Sequence, residues 1–202
     1  MSFAKTLQQT FGVNSPILLA EIRNLFSTYS RAHVFKEIAS AIERGELVRY
    51  DESIYFVPEK DMFGVAGLNP DKVVYKKFIK NNDGVIGGYT GWAFLNSIGA
   101  TTQMPNVVEI ATNRESMRVR EVKVGKQKFI LRKPKCEITS GNEKVIKIME
   151  TATRFEFSEK MSKVVTDYAR ENNLSVKDFL GCAKFYPAQT IKNITGVLYG
   201  LA

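Results

Sequence analysis

The sequence predicts an α+β chain: an N-terminal winged helix-turn-helix followed by a mixed α/β domain with a helical C-terminal layer. Three observations carry this expectation. Residues 14–60 hold two stretches of helically spaced apolar residues, separated by a short polar break and followed by two short β-like runs. Residues 114–135 interleave valines with nine basic residues against two acidic ones, the pattern of a basic hairpin. From Asn142 onward the apolar spacing is helical again. The expected division is 1–58 for the winged unit, 59–69 for a linker, and 70–202 for an α+β domain carrying the basic strands.

The elements follow in order. Phe3, Leu7 and Phe11 stand four apart, which places them on one face of a first helix. Pro16 can open the next helix, Ile17 to Phe26, with Ile17, Leu18, Ile22, Leu25 and Phe26 apolar. Ser27-Thr28-Tyr29 breaks it, and Ser30 can cap a third helix by accepting a free backbone N–H. At 100° per residue, Val34, Phe35, Ile38, Ala39 and Ile42 form the inward side of this helix, while His33, Lys36 and Ser40 face out. Gly45 suits the left-handed conformation after a helix end. Leu47–Tyr50 and Ile54–Val57, joined by Asp51-Glu52-Ser53, read as the hairpin, and Pro58 ends it.

In residues 59–69, Met62, Phe63, Val65 and Leu68 suggest a linker that packs on something. Asp71 to Asn81 read as a helix with Val73, Val74, Phe78 and Ile79 inward and Lys72, Lys76, Lys77 and Lys80 outward. Asn82-Asp83-Gly84 is a turn. Gly87, Gly88 and Gly91 lack the Gly-Lys-Ser/Thr or strand-plus-GxGxxG context of a phosphate loop, so they read as structural. Trp92 to Ile98 form a short helix ended by Gly99, and Val107 to Thr112 a strand. Two adjacent strands then meet at Gly125-Lys126. The tail carries a stripe of Val145, Ile146, Ile148, Met149 and Ala152, and a helix capped by Ser158. A third helix opens on a capping box at Ser175, and a fourth runs from Pro187 with Ile191, Ile194, Val197, Leu198 and Leu201 inside.

Composition narrows the function. With 202 residues, 44% of them hydrophobic, the chain has material for one large core or two small ones. No apolar run approaches the roughly 18 residues of a membrane span, and the N-terminus lacks the pattern of a secretory signal. Two cysteines, Cys136 and Cys182, give neither a metal-ligand spacing nor a disulfide framework, so a cytoplasmic location is expected. The single histidine, His33, lies on the third helix, and carboxylates such as Glu109 and Asp167 look isolated. No catalytic constellation, metal site or cofactor is expected, and the chain is read as a non-enzyme.

The net charge of +8 is unevenly placed: −1 over residues 1–69, +8 over 70–135 and +1 over 136–202. Nucleic-acid contact by the third helix and wing points to Ser30, Arg31, His33, Lys36, Ser40 and Arg49. A phosphate-neutralising surface points to Arg114, Arg118, Arg120, Lys123, Lys126, Lys128 and Arg132. A solvated sheet edge protected by lysines is the plainer alternative for the latter.

The winged unit, the run GYTGWAFLNSIGATTQMPNVVEIATN and the basic VKVGKQKFILRKPK segment together resemble the AbiEi-type antitoxins, the transcriptional-regulator halves of type IV toxin–antitoxin (abortive-infection) operons. The most distinctive part is Gly99 to Pro105, after an Ala-Phe-Leu helix; the resemblance covers about residues 14 to 135. It implies a cytoplasmic antitoxin whose winged helix represses its own operon by binding inverted repeats in promoter DNA, as a monomer or weak dimer. Its functional partner would be a nucleotidyltransferase-like toxin, countered without a stable complex. The rival readings are an RNA-interacting regulator and a protein-interaction module that binds no DNA.

Overall fold

A computed structural model describes residues 2–61, 64–65, 67–82 and 84–202, without the side chains of residues 60, 61, 64 and 65. The chain is a mixed α+β protein that forms two compact units, Met1–Lys77 and Phe78–Ala202.

The first unit runs α1 (Phe3–Phe11), β1 (Ile17–Leu18), α2 (Leu19–Leu25), α3 (Arg31–Glu43), β2 (Val48–Arg49) and β3 (Ile54–Phe56). Ile17 and Leu18 are not helical as expected. They pair antiparallel with β3, Ile17 opposite Tyr55 and Leu18 opposite Ile54, so the small sheet has the order β1-β3-β2. The β-branched Ile17 favours an extended entry. The helix begins one residue later, where Glu21 reaches back to accept the Leu18 N–H at 3.0 Å. The expected hairpin closes with Val48 opposite Phe56 and Arg49 opposite Tyr55. Gly45 takes φ 63° after α3.

The core of this unit gathers Phe3, Leu7, Ile17, Ile22, Val34, Ile38, Ala41, Leu47, Tyr55 and Val57. The buried edge of α3 is therefore Val34–Ile38–Ala41. Phe35, Ala39 and Ile42, expected inside, are exposed, because α1, α2 and the sheet contact only one side of the predicted apolar arc.

In the linker region β4 (Lys60–Asp61) pairs with β5 (Gly64–Val65), and Leu68 is buried. The expected packing of Met62 and Phe63 lies outside the described residues, as does that of the Val65 side chain. α4 (Pro70–Val74) starts on Asn69, whose side chain accepts the Asp71 N–H, and winds into a π-helical turn, Tyr75–Ile79. The helix stops there rather than at Asn81: Lys80–Asn81 (β6) pairs with Gly84–Val85 (β7), and Asp83 lies outside the described residues.

The second unit is built on the sheet β10-β11-β9-β8, made of β8 (Gly87–Thr90), β9 (Val108–Thr112), β10 (Val119–Val124) and β11 (Gln127–Arg132). β11 and β9 are parallel; the other pairs are antiparallel. α5 (Gly91–Ser97) follows β8, and α6 (Glu143–Ala152) packs on it with the whole expected stripe, Val145, Ile146, Ile148, Met149 and Ala152, buried. Beyond α6 lie α7 (Glu159–Glu171), α8 (Val176–Ala183), α9 (Ala188–Asn193) and α10 (Thr195–Leu201). Ser158 caps α7 through the Met161 N–H, and Asp178 accepts the Ser175 N–H at the start of α8.

The last expected helix is two. It breaks at Ile194, next to Asn193, whose side chain donates to the Ala152 carbonyl at 2.7 Å. The change of direction sets Gly196 and Gly200 against Ser162 and Thr166 of α7, where a Cβ at Gly200 would fall 2.7 Å from Thr166 Cγ2. Ile194 is fully buried at this corner. Ile194→Ala is expected to destabilise the protein by about 2–5 kcal/mol in denaturant unfolding; an unchanged midpoint would mean that α9 and α10 carry no core. Among the described residues no helix is long and apolar enough to cross a membrane.

Candidate nucleic-acid interface

The first unit positions α3 through an aromatic ladder that sequence reasoning did not foresee. Phe3 stacks on Phe26 with centroids 4.4 Å apart, Phe26 on Tyr29 at 5.7 Å, and Tyr29 meets His33 edge-on at 4.8 Å. The ladder runs from the core to the first turn of α3 and fixes its approach. Ser30 then caps the helix, accepting the His33 N–H at 3.2 Å. Arg31, His33 and Lys36 are exposed on this turn and the next. Arg31 lies 5.7 Å from the Phe35 ring centroid, a cation–π contact that leaves its guanidinium edge free to donate. His33 Nε2 is 3.9 Å from Glu37 Oε1. Ser40 is engaged within the helix, accepting from Arg44 at 2.6 Å.

Arg49 is exposed on β2, and its Nε donates to the Asp51 carbonyl at 3.1 Å. The hairpin turn is pinned at Asp51, which accepts the Ser53 N–H and the Lys77 ammonium, each at 2.7 Å. Burial pushes the Asp51 carboxyl up, but Lys77 and Ser53 outweigh it and hold the group below its ordinary value. Lys76 pairs with the buried Glu21 at 2.5 Å. Both lysines were expected on a solvent face. Their spacing shows a helix but not which carboxylates reach it from α2 and the hairpin.

In the second unit the basic residues divide by partner. Arg120 is tied to the buried Glu115 at 2.7 Å, and Glu115 also accepts the Met117 N–H. Lys128 meets Glu121 at 2.9 Å, with both side chains more than half exposed. Arg132 binds Glu109 at 3.0 Å. Arg118, Lys123 and Lys126 are exposed and carry no ion pair among the described residues; Arg114 is exposed on the turn after β9. The sheet edge is therefore less cationic than its composition, since at least three of the seven candidates hold a carboxylate among the described residues.

Glu109, read from the sequence as isolated, is the centre of an ion triad. Its Oε2 lies 3.0 Å from Arg132 and 2.5 Å from Arg154, all three side chains being about one-fifth exposed. Burial lowers the Arg154 pKa from the ordinary guanidinium value, and Glu109 works against that shift. Arg154 Nε is buried with no hydrogen-bond partner among the described residues, and Nη2 reaches Thr90 Oγ1 at 3.4 Å. Gly91, at φ 64°, admits the cluster: a Cβ there would stand 3.2 Å from Arg154 Nη2. Phe155 and Trp92, edge-on at 4.8 Å, flank it.

Burial raises the pKa of both cysteine thiols. Burial, neighbouring Cys182 and Glu150 push the Cys136 thiol up to about 11. Glu150 is buried and accepts the Lys135 N–H at 2.8 Å and the Tyr186 hydroxyl at 3.0 Å. No group of His, Cys, Asp and Glu among the described residues could hold a metal ion.

No curated protein matches the chain. A family model described as a family of unknown function, DUF6088, matches residues 15–174, from just before β1 to just past α7, a span that holds every candidate residue named above. The chain belongs to this DUF6088 family of unknown function.

Proposed function

We propose that the chain is the antitoxin of a type IV toxin–antitoxin system and represses its own operon through an N-terminal winged helix. One observation carries the DNA-binding part: the Ser30-capped first turn of α3 presents exposed Arg31, His33 and Lys36, in a unit whose order is helix, strand, helix, helix, strand, strand with sheet order β1-β3-β2. A recognition helix needs this layout, with its N-terminal side chains reaching base edges in the major groove and a hairpin beside it. Arg49 on the hairpin then meets the backbone, since phosphate contacts position while base contacts specify. The antitoxin part rests on the resemblance of residues 14–135. In this reading the partner is a nucleotidyltransferase-like toxin of the same operon, in the cytoplasm, and this chain performs no catalytic step. The basic hairpin supplies a second anion-binding surface.

The test is binding of the full-length protein to a duplex of its own promoter. Arg31→Ala and Lys36→Ala should each weaken that binding by about 1–3 kcal/mol and leave unrelated duplex less affected. Equal weakening on both duplexes would make the residue a phosphate contact; no weakening would remove α3 from the interface.

A further inference from the structure

The register of the basic hairpin sorts its side chains onto two faces. Cross-strand partners share a face, so Val119 and Arg132, Glu121 and Ile130, and Lys123 and Lys128 lie together. The alternate pairs hold Val124, Phe129 and Leu131, which are buried. The first face continues across Glu109 and Ala111 of β9 onto Thr90 and Gly88 of β8. There α6 covers it: Ala111 is buried in the core, and Lys147 lies over Gly88. On β10 and β11 the same face is open. Lys123 and Lys128 are exposed, Val119 is 40% exposed, and Ile130 and Arg132 are half-buried.

We propose that this open face binds single-stranded nucleic acid. The inference stands apart from duplex recognition by the first unit. Two features select a single strand. Lys123 and Lys128 form a cross-strand cationic pair suited to successive phosphates, and the Glu121 partner of Lys128 is too exposed to hold it against a polyanion. Beside them lie surfaces for unstacked bases: apolar Val119 and Ile130, and the guanidinium plane of Arg132, clamped by Glu109. A duplex offers phosphates and base edges but keeps its base planes stacked inside, which leaves the apolar groups and the clamped guanidinium plane without a stacking partner.

The experiment is fluorescence anisotropy of the full-length protein with a labelled 12-nucleotide RNA, the DNA strand of the same sequence, and a blunt duplex of that sequence unrelated to the promoter. Either single strand should bind at least about tenfold tighter than the duplex, and the RNA and DNA arms show whether the 2′-hydroxyl adds affinity. Lys123→Glu combined with Lys128→Glu should weaken single-strand binding more than about tenfold and flatten its salt dependence. Val119→Ser should weaken it a few-fold at an unchanged salt slope, because that contact is apolar. Both variants change exposed side chains, and circular dichroism checks their fold. Duplex binding as tight as single-strand binding, absence of single-strand binding, or an unaltered affinity in the charge-reversed variant would overturn the proposal. Loss of promoter preference with single-strand binding intact would instead sink only the role of α3.

Discussion

Gly87→Ala is expected to unfold the sheet of the second unit, at a cost of at least about 4 kcal/mol. A Cβ at Gly87 would lie 2.7 Å from the Ala111 carbonyl oxygen and closer still to that of Phe78. Both obstacles are backbone, so neither can rotate away, and Ala111 belongs to the paired strand β9. The adjacent Gly88→Ala is the internal control. The nearest atoms its Cβ would meet belong to the Lys147 side chain, a flexible chain that can swing aside, so its cost should stay within about 1 kcal/mol. Denaturant unfolding of the two variants should separate them widely. Equal, small losses would mean that β8 has room at Gly87 and that the glycine there is incidental.

The second large effect belongs to the ion triad. Glu109→Gln leaves Arg132 and Arg154 as two partly buried guanidiniums facing each other without the carboxylate they share. Removing one partner of such a buried pair costs about 3–5 kcal/mol, since the remaining charge keeps its desolvation cost and loses its attraction. Two guanidiniums on one carboxylate place this change toward the upper end. Replacing all three residues with methionine should recover most of the loss, because no buried charge is then left unpaired. Unfolding midpoints for the single and triple variants check both halves. A single variant as stable as the parent would mean that the triad is solvated and that Glu109 does not clamp the arginines.

The sequence showed what depends on local period. The stripe of α6 repeats Val145, Ile146, Ile148, Met149 and Ala152 on one face, and every member is buried. The basic hairpin turns at Gly125, and its strands pair across that turn. Local period fails where neighbours from elsewhere decide. Ile17 and Leu18 fit a helix by spacing, but β3 supplies ladder partners 36 to 38 residues away. Phe35 and Ile42 fit the apolar arc of α3, yet nothing in the core of the first unit covers them. Among the candidate residues, the cap at Ser30 and the exposure of Arg31, His33 and Lys36 were readable from the cap pattern and the helical wheel. The Phe3–Phe26–Tyr29–His33 ladder was not, because it joins aromatics of three segments. Glu109 looked isolated for the same reason: its partner Arg132 lies 23 residues on, and Arg154 comes from a segment after α6.

The central claim is that α3 reads duplex DNA by sequence. It is tested most directly by measuring the affinity of the full-length protein for its own promoter duplex and for a scrambled duplex of equal length, at one fixed salt concentration, with the Arg31→Ala, Lys36→Ala double variant alongside. Specific DNA-binding proteins prefer their site by about a thousandfold or more. A preference of this order, lost in the double variant while the scrambled duplex binds nearly as before, is the predicted result. Equal affinity for both duplexes, or a preference that survives the double substitution, would contradict it.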